Sequence, residues 1–412
     1  MKTISSLFLL TLAFFLGTSS LIAQEQPNFV FFITDDISAD DLGAYGNTFA
    51  KTPNLDRIAS QGLVFDNAYL TTSSCSPSRC SIITGRYPHN TGAPELHIPL
   101  PLDQITFVQK LKDAGYYTVI SGKNHMNEPE KIGFVLGTDG GRPSGSQDWV
   151  GLLQNRPKDQ PFFAWFASYD AHRDWQPNDK APDYNADDIQ VPPFLYDGPR
   201  TRQDLAEYYH EVSRTDHYAG ELIAELERQG VADNTYFVYT ADNGRPFPRC
   251  KTRLYDSGIK TPLIVWSPGK IQPARSKALV STIDLAPTFM ELAGVEAGPT
   301  FQGISLATLL ENPKGKVRDY AFAEHNWHVY AAHERGVRFG NWLYIHNAFN
   351  HKQSLSTESD NSQFPAAQEL WDMYEAGKTL PHQEDIPMMP RPQTELFHVK
   401  ADPHQLVNLS GK

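Results

Sequence analysis

Two pairs of oxygen-bearing side chains follow apolar runs, a pattern that is typical of a metal site. Asp35 and Asp36 follow the run 28–34, and Asp242 and Asn243 follow the β-rich run 235–240. Carboxylate and amide oxygens are the ligands that hard cations such as calcium and magnesium prefer. Either pair alone would be an ordinary polar turn. Together, after two strands, they predict one oxygen-lined site.

Four further side chains could bind an anion or move a proton. Lys123 and His125 stand at alternate positions of Gly-Lys-Asn-His, and an extended segment would direct both to the same side. His172 follows another apolar run, and Lys251 lies in Lys-Thr-Arg-Leu-Tyr-Asp. Cations neutralise the oxygens of an anionic ester, and imidazole or ammonium groups protonate its leaving group. A single histidine or lysine more often lies at the surface or in the core without a catalytic role. The hypothesis therefore requires that these four side chains lie close together in the fold.

The cysteines predict a free thiol rather than a disulfide framework, because the chain has only three, Cys75, Cys80 and Cys250. Arg79 lies four residues after Cys75. A helix that begins near Cys75 would bring both side chains to one face. Cys80 is interpreted as a small buried residue of that helix and Cys250 as an inert thiol.

The elements that must position these residues alternate between strand and helix. Strands are predicted at 28–34, 116–121, 162–169, 235–240 and 262–266, with helices at 107–114 and about 203–229 among them. This alternation predicts an α/β domain with a mostly parallel sheet. Ligands of such sheets bind at the carboxyl ends of the strands. We therefore expect Asp35, Lys123, His172 and Asp242 to meet in one crevice.

The start of the chain resembles a secretory signal peptide, residues 1–23. A positive charge at Lys2 precedes an apolar core from Leu7 to Leu16, and small residues lead to Ala23. A membrane anchor is the less favoured alternative, because the apolar core is short. We expect an exported protein, periplasmic or secreted, with no membrane span after signal removal. The formal net charge of −12 argues against a nucleic-acid partner.

The 412 residues suit one large domain and one smaller domain. A polar break lies near residue 315, and short strand-like runs such as 342–345 follow it. We expect a catalytic α/β domain at 24–315. A smaller C-terminal α+β domain at 316–412 would complete the substrate pocket.

The segment from Cys75 to Gly85 reads Cys-x-Pro-x-Arg, three residues, then Ile-Thr-Gly. It resembles the signature of type I sulfatases of the alkaline-phosphatase-like superfamily, and the resemblance extends over nearly the whole mature chain. The resemblance implies that a maturation enzyme oxidises Cys75 to formylglycine. The hydrated aldehyde would act as the nucleophile, and its second hydroxyl would allow sulfate to be expelled afterwards.

The same resemblance implies a role for each candidate residue. Calcium would be held by Asp35, Asp36, Asp242, Asn243 and the modified Cys75. Arg79 would hold the modified residue, and Lys123 and His125 would bind it, with His125 helping to deprotonate its remaining hydroxyl. His172 and Lys251 would bind the sulfate and protonate the leaving oxygen.

The resemblance implies a sulfated carbohydrate as substrate. Three stretches, 73–79, 191–194 and 242–248, resemble heparan N-sulfatases (sulfamidases). Those enzymes have an arginine at the position of Lys251, whereas most O-sulfatases have lysine. Both N-sulfate and O-sulfate therefore stay open, with O-sulfate slightly favoured. Candidate sugar-binding residues are Arg173, Trp175, His325, Asn326 and His328. The alternative for the tryptophans Trp175 and Trp327 is packing between the domains.

Two other functions are compatible with parts of the pattern. Some phosphonate or phosphodiester hydrolases of this superfamily use the same modified cysteine. A catalytically dead sugar-binding protein is the other alternative, and it is disfavoured because each expected catalytic position holds a competent residue.

Overall fold

The structure is a computed structural model that describes residues 26–360 and 363–411. The predicted signal peptide, residues 1–23, lies outside the described residues. Within the described part of the chain, no helix is both long enough and apolar enough to cross a bilayer.

The larger sheet has eight strands, in the spatial order β4-β3-β5-β1-β6-β7-β2-β8. Its strands are β1 Asn28–Thr34, β2 Leu63–Tyr69, β3 Tyr117–Gly122, β4 Leu136–Thr138, β5 Phe162–Ala167, β6 Thr235–Ala241, β7 Leu263–Trp266 and β8 Ala274–Ser281. Every neighbouring pair is parallel except the two that involve β7. The mostly parallel α/β domain is thereby confirmed. The pattern analysis missed β2, β4 and β8, and it did not foresee that β7 runs antiparallel.

Helices cover both faces of this sheet. They are α1 Pro53–Gln61, α2 Cys75–Thr84, α3 Pro88–Thr91, α4 Phe107–Asp113, α5 Trp149–Asn155, α6 Pro199–Arg228, α7 Asp256–Ile259, α8 Leu285–Leu292 and α9 Ala307–Glu311. Helix α6 begins four residues earlier than predicted, because Pro199 at its first position is already helical and Gly198 precedes it.

The central strand shows why the sequence folds in this way. All seven residues of β1 are buried. Phe29, Phe31 and Ile33 pack into the core on the side of α4 and α8, whereas Val30 and Phe32 pack on the side of α1 and α6. Successive side chains of a strand point to opposite faces. A strand covered on both faces must therefore be continuously apolar, as this one is.

A second, antiparallel sheet has the order β12-β11-β10-β9. It comprises β9 Tyr320–His328, β10 Tyr330–Phe339, β11 Trp342–Asn347 and β12 Thr394–His398, and helix α10, Pro365–Glu375, precedes β12. Its apolar side chains, among them Leu343 and Phe397, pack with Tyr69 and Tyr255 of the larger domain. The smaller α+β part is thereby confirmed. The exact division into 24–315 and 316–412 stays a proposal.

Candidate active site

The carboxyl ends of four adjacent strands carry the predicted polar residues. In the order β3, β5, β1 and β6, these strands are followed by Lys123, His172, Asp35 and Asp242. The convergence expected from the sequence is therefore present in the fold. Helix α2, which carries Cys75, meets the same edge.

Cys75 is the first residue of α2, and its side chain is buried. Its Sγ lies 3.5 Å from Oδ1 of Asp35. Burial, followed by the nearby Asp35 carboxylate, raises the pKa of the thiol well above its usual range. The unmodified side chain thus stays a neutral thiol, which is a poor nucleophile.

A compact acidic group surrounds this cysteine. One ligand atom from each of Asp35, Asp36, Cys75 and Asp242 lies within 4.8 Å of the others, and all four residues are buried. The backbone N–H of Asp36 donates to Oδ1 of Asp242 at 3.3 Å. Asp36 has a φ of 56°, in the left-handed region that non-glycine residues seldom adopt. The backbone is thus bent where the carboxylates meet.

The chemistry of this group fits a hard cation. Burial, together with the Asp35 carboxylate, raises the pKa values of Asp36 and Asp242. A bound cation would offset the unfavourable free energy of burying these negative charges. The side-chain Nδ2 of Asn243 donates to Oδ1 of Asp36, and Oδ1 of Asn243 is buried without a hydrogen-bond partner among the described residues. An oxygen-only set with one unused amide oxygen suits calcium better than a softer metal.

Arg79 is fully buried and ties the acidic group to the end of β3. Its Nε donates to Oδ2 of Asp242 at 2.8 Å, and its Nη1 donates to the backbone oxygen of Lys123 at 2.7 Å. Its Nη2 is buried and has no partner among the described residues. One donor of this guanidinium is thus available to an oxygen acceptor.

Two lysines flank the carboxylates. Nζ of Lys123 forms an ion pair with Oδ2 of Asp35. Nζ of Lys251 lies 2.8 Å from Oδ2 of Asp36. Burial opposes the charge of Lys251, but Asp36 outweighs it and raises the pKa of Lys251 well above its usual range. Both ammonium groups are therefore charged and fixed.

Gly122 allows the approach that places Lys123. Its φ is +93°, and a Cβ at this position would lie 1.9 Å from the backbone oxygen of Ala167 on β5. The same oxygen accepts the N–H of Lys123 at 2.9 Å. Any larger residue at position 122 would push β3 away from β5.

The two predicted histidines are neutral at neutral pH. Burial and the charge of Lys123 lower the pKa of His125 to about 3. Partial desolvation by the surrounding protein and the charge of Lys251 lower the pKa of His172 to about 3, although part of the residue is exposed to solvent. Nδ1 of His172 bonds to the backbone oxygen of Arg173 and must donate there, so its Nε2 keeps a free lone pair.

The loop after β5 is anchored by a buried ionic network. Arg214 donates to both carboxylate oxygens of Asp170, at 2.9 and 2.7 Å, and also binds Glu211. Burial and the Asp170 charge raise the pKa of Glu211 to about 9. This network holds the chain that leads to His172.

Arg173 and Trp175, two candidate sugar-binding residues, bind the protein itself. The guanidinium of Arg173 donates to both oxygens of Asp204 at 2.7 Å, and Nε1 of Trp175 donates to Oδ1 of Asp204 at 2.8 Å. Trp175 also stacks with Phe247. These contacts of Trp175 lie within the larger domain, and the sugar-binding role of both residues stays a prediction.

The three candidates on β9 lie in different surroundings. His328 is buried, and its Nδ1 lies 2.7 Å from Oγ of Ser74, the residue before Cys75. His325 is buried beside Glu334. Asn326 donates to the backbone oxygen of Pro94 at 3.3 Å. Of the three, His328 is the one that the structure brings against the helix of Cys75.

Three residues near the site were missed by the sequence analysis. The ring of His97 lies 4.8 Å from that of His125, measured between centroids. Glu358 is buried with Oε1 at 3.6 Å from Nζ of Lys251. Arg142 lines the same cavity as His125. None of the three stands in a sequence motif, so no local signal indicated them.

A cavity of about 200 Å³ opens over this edge of the sheet. Its lining includes the proposed reactive groups Lys123, His125 and His172, together with Arg142, Tyr169 and Asp174. A larger cavity of about 380 Å³ lies elsewhere, between the two sheets, and includes Tyr69 and Arg338. The chemistry of the smaller cavity identifies it as the candidate active site.

Comparison with known proteins gives a consistent result. The chain matches the sulfatase family model over residues 27–136 and 146–295, and the model described as N-sulphoglucosamine sulphohydrolase, C-terminal, over residues 250–383. It is 28% identical over 447 residues to an ulvan-active sulfatase of Formosa agariphila, covering 95% of this chain and 73% of that protein. It is 29% identical over 446 residues to N-sulphoglucosamine sulphohydrolase of Homo sapiens, covering 94% and 87%.

A solved structure shares the fold. That protein, in complex with its substrate D-glucosamine-2-N,6-O-disulfate, superposes with a TM-score of 0.71 at 24% identity, covering 94% of both chains. The comparisons support a sulfatase over a phosphodiester hydrolase. The chain belongs to the sulfatase family and is a sulfuric ester hydrolase.

Proposed function

We propose that this enzyme removes sulfate from a sulfated saccharide, with a nucleophile made by oxidation of Cys75 and with a bound calcium ion. The observation that carries the proposal is the convergence of Cys75 with three buried carboxylates. The names of the two relatives, one active on ulvan and one on N-sulphoglucosamine, support a saccharide substrate.

The proposed metal ligands are Asp35, Asp36, Asp242, Asn243 and residue 75. Calcium would supply positive charge that neutralises the sulfate oxygens. Formylglycine at position 75, made by a formylglycine-generating maturation enzyme, would supply a hydroxyl oxygen as the nucleophile. The free Nη2 donor of Arg79 supports a role in orienting an oxygen at that residue.

The remaining groups divide the tasks of binding and proton transfer. Lys123 and Lys251 are charged and would bind the sulfate. Lys251 is also the protonated group that could give a proton to the leaving atom. His125 and His172 are neutral and can accept protons or hydrogen bonds. A bound anionic ester would raise the pKa of His172 and let it act as an acid.

The choice between N-sulfate and O-sulfate rests on opposing observations. The match of residues 250–383 to the N-sulphoglucosamine sulphohydrolase C-terminal model favours N-sulfate. The lysine at position 251 favours O-sulfate on the resemblance described above. We propose that the enzyme is a carbohydrate sulfatase. The panel of N-sulfated and O-sulfated saccharides described below distinguishes the two kinds of substrate.

We also propose that the protein is exported, to a periplasm or outside the cell. The pattern of residues 1–23 supports this, with Lys2 before an apolar core and small residues before the cleavage point. An exported fate suits an enzyme whose substrate is a polysaccharide outside the cytoplasm.

The experiment is a sulfate-release assay with protein co-expressed with a formylglycine-generating enzyme. The panel comprises glucosamine N-sulfate, glucosamine 6-O-sulfate and sulfated algal saccharides, and the control is Cys75→Ala. We expect release from at least one saccharide and none in the control. Absence of release from all of them, with Cys75 shown by mass spectrometry to be converted, would contradict the proposal.

A further inference from the structure

Among the described cations that line the active-site cavity, one has neither a role in the desulfation chemistry nor a carboxylate partner. Arg142 lines the cavity together with Lys123, His125 and His172. Its side chain is exposed. Its guanidinium makes no hydrogen bond and no ion pair with any residue that the structure describes. It therefore has free N–H donors and a charge that no described carboxylate balances.

The guanidinium is nevertheless held in place. Its Cζ lies 3.8 Å from the centroid of the Tyr169 ring. A cation stacked on an aromatic ring keeps the N–H groups at its edge free, and these can bind two anionic oxygens at once. The side chain is thus oriented before any ligand arrives.

The loop that carries Arg142 is packed tightly against the same ring. A Cβ at Gly145 would lie 2.9 Å from Cα of Gly122 and 3.0 Å from Cδ2 of Tyr169. Gly145 has a φ of +79°, which favours glycine. The loop thus connects Arg142 to the end of β3, from which Lys123 extends into the site.

The other cations of the cavity are already paired. Lys123 pairs with Asp35, Arg173 with Asp204, and Arg214 with Asp170 and Glu211. The chain has a formal net charge of −12, so its long-range field repels a polyanion. A second anionic group on the ligand therefore needs a cation that neither the sulfate nor a protein carboxylate occupies, and Arg142 is such a cation.

We propose that Arg142 forms a second anion subsite, so that the preferred substrate carries another anionic group within about one sugar ring of the sulfate that is removed. The inference rests on the proposed function, because it assumes that the cavity binds a sulfated saccharide. A second sulfate and the carboxylate of a neighbouring uronic acid both present the oxygen pair that a guanidinium binds. Arg142 lines the same cavity of about 200 Å³ as Lys123, His125 and His172, so the two anions would lie close together.

The test compares ligands that differ by one anion. Binding to the calcium-loaded Cys75→Ala protein is measured by calorimetry for glucosamine 6-O-sulfate, glucosamine-2-N,6-O-disulfate and a uronate-linked glucosamine 6-O-sulfate disaccharide. We expect one of the doubly anionic ligands to bind roughly tenfold more tightly than the monosulfate. Which of the two does so identifies the second anion.

The variant Arg142→Gln, made in the Cys75→Ala protein, should abolish this preference. Arg57→Gln is the matched control, because Arg57 pairs with Glu227 outside the cavity and its loss changes the net charge equally. Asp174→Asn removes a negative charge from the same cavity and should keep or increase the preference. Arg142→Lys should retain part of it, because the charge stays but the paired donors are lost.

Equal affinity for all three ligands, or a preference that survives in Arg142→Gln, would overturn the inference. Because binding is measured without turnover, failure of the proposed function gives a different result from failure of the inference about Arg142. In that case the selective binding would persist, while fully converted wild-type protein would release sulfate from no ligand.

Discussion

Nζ of Lys251 lies 3.6 Å from Oε1 of Glu358, so a lysine from the loop after β6 pairs with a carboxylate that follows β11. Both side chains are buried, and Oε2 of Glu358 has no partner among the described residues. The smaller sheet region therefore contributes directly to the charge of the active site.

We predict that Glu358→Gln moves the alkaline limb of the kcat/KM profile to lower pH. Glu358 is one of the carboxylates that raise the pKa of Lys251, after Asp36, so removing its charge lets Lys251 lose its proton earlier. The measurement is the pH dependence of sulfate release. Glu375→Gln, an exposed change on α10, is the control. An unchanged limb, or one at higher pH, would show that Lys251 does not respond to Glu358.

Arg173 is predicted to be needed for stability rather than for substrate selection. Its removal leaves Asp204 buried and without its bidentate partner, which costs about 3–5 kcal/mol of unfolding free energy for a buried pair. Arg173→Ala should therefore unfold at much lower urea concentration. The control Arg200→Ala breaks a more exposed pair with Asp372 and should cost about 1 kcal/mol or less. Wild-type stability with altered substrate preference in Arg173→Ala would favour the sugar-binding role instead.

Calcium is predicted to stabilise the fold. The buried carboxylates Asp35, Asp36 and Asp242 repel one another, and a cation that binds only the native state adds about 2.7 kcal/mol at a concentration of 100 times its Kd. The melting temperature should fall on treatment with EDTA and recover with calcium. Asp242→Ala should show no calcium response. An unchanged melting temperature of the wild type after EDTA treatment would contradict the assigned ligands.

Acid stability provides a test of the ion cluster beneath His325. Burial opposes the charge of Glu334, but Arg391 at 2.7 Å and Arg253 at 3.3 Å outweigh it and lower the pKa of Glu334 to about 2. A carboxyl whose pKa is lowered by folding stabilises the protein above its unfolded pKa of about 4.5. This contribution, on the order of 3 kcal/mol, is lost as pH falls from about 4.5 toward 2.

Glu334→Gln should therefore be less stable than the wild type at pH 6, and the difference should narrow as the pH falls to 3. Urea unfolding at several pH values measures this directly. Glu128→Gln, at an exposed position, is the control, and its free energy of unfolding should change with pH in the same way as that of the wild type. If the difference in free energy of unfolding between Glu334→Gln and the wild type stayed constant from pH 6 to 3, the lowered pKa of Glu334 would be contradicted.

The sequence predicted best what depends on local pattern. The run 28–34 matches β1 at both ends because a buried parallel strand must be continuously apolar. The positions of Lys123 and Asp242 followed from the rule that polar residues gather at the carboxyl edge. Strand β8 was missed because the buried positions next to the exposed Arg275 and Lys277 hold small residues, among them Ser276, which leaves only a weak apolar signal.

Residues brought in by tertiary contacts left no local signal. His97 reaches the site because its backbone N–H donates to Oγ of Ser76, and Glu358 reaches it through Lys251. Arg142 depends on its stacking against Tyr169. Each is fixed by a partner far away in sequence, and no spacing rule could have found it.

The central claim is that turnover depends on oxidation of Cys75, and the most direct measurement relates the two quantities. Preparations with different levels of co-expressed maturation enzyme would be assayed for sulfate release, and the converted fraction of Cys75 would be determined in each by mass spectrometry. We predict that turnover rises in proportion to the converted fraction and extrapolates to zero. Sulfate release by unconverted protein, or by Cys75→Ala, would contradict the account.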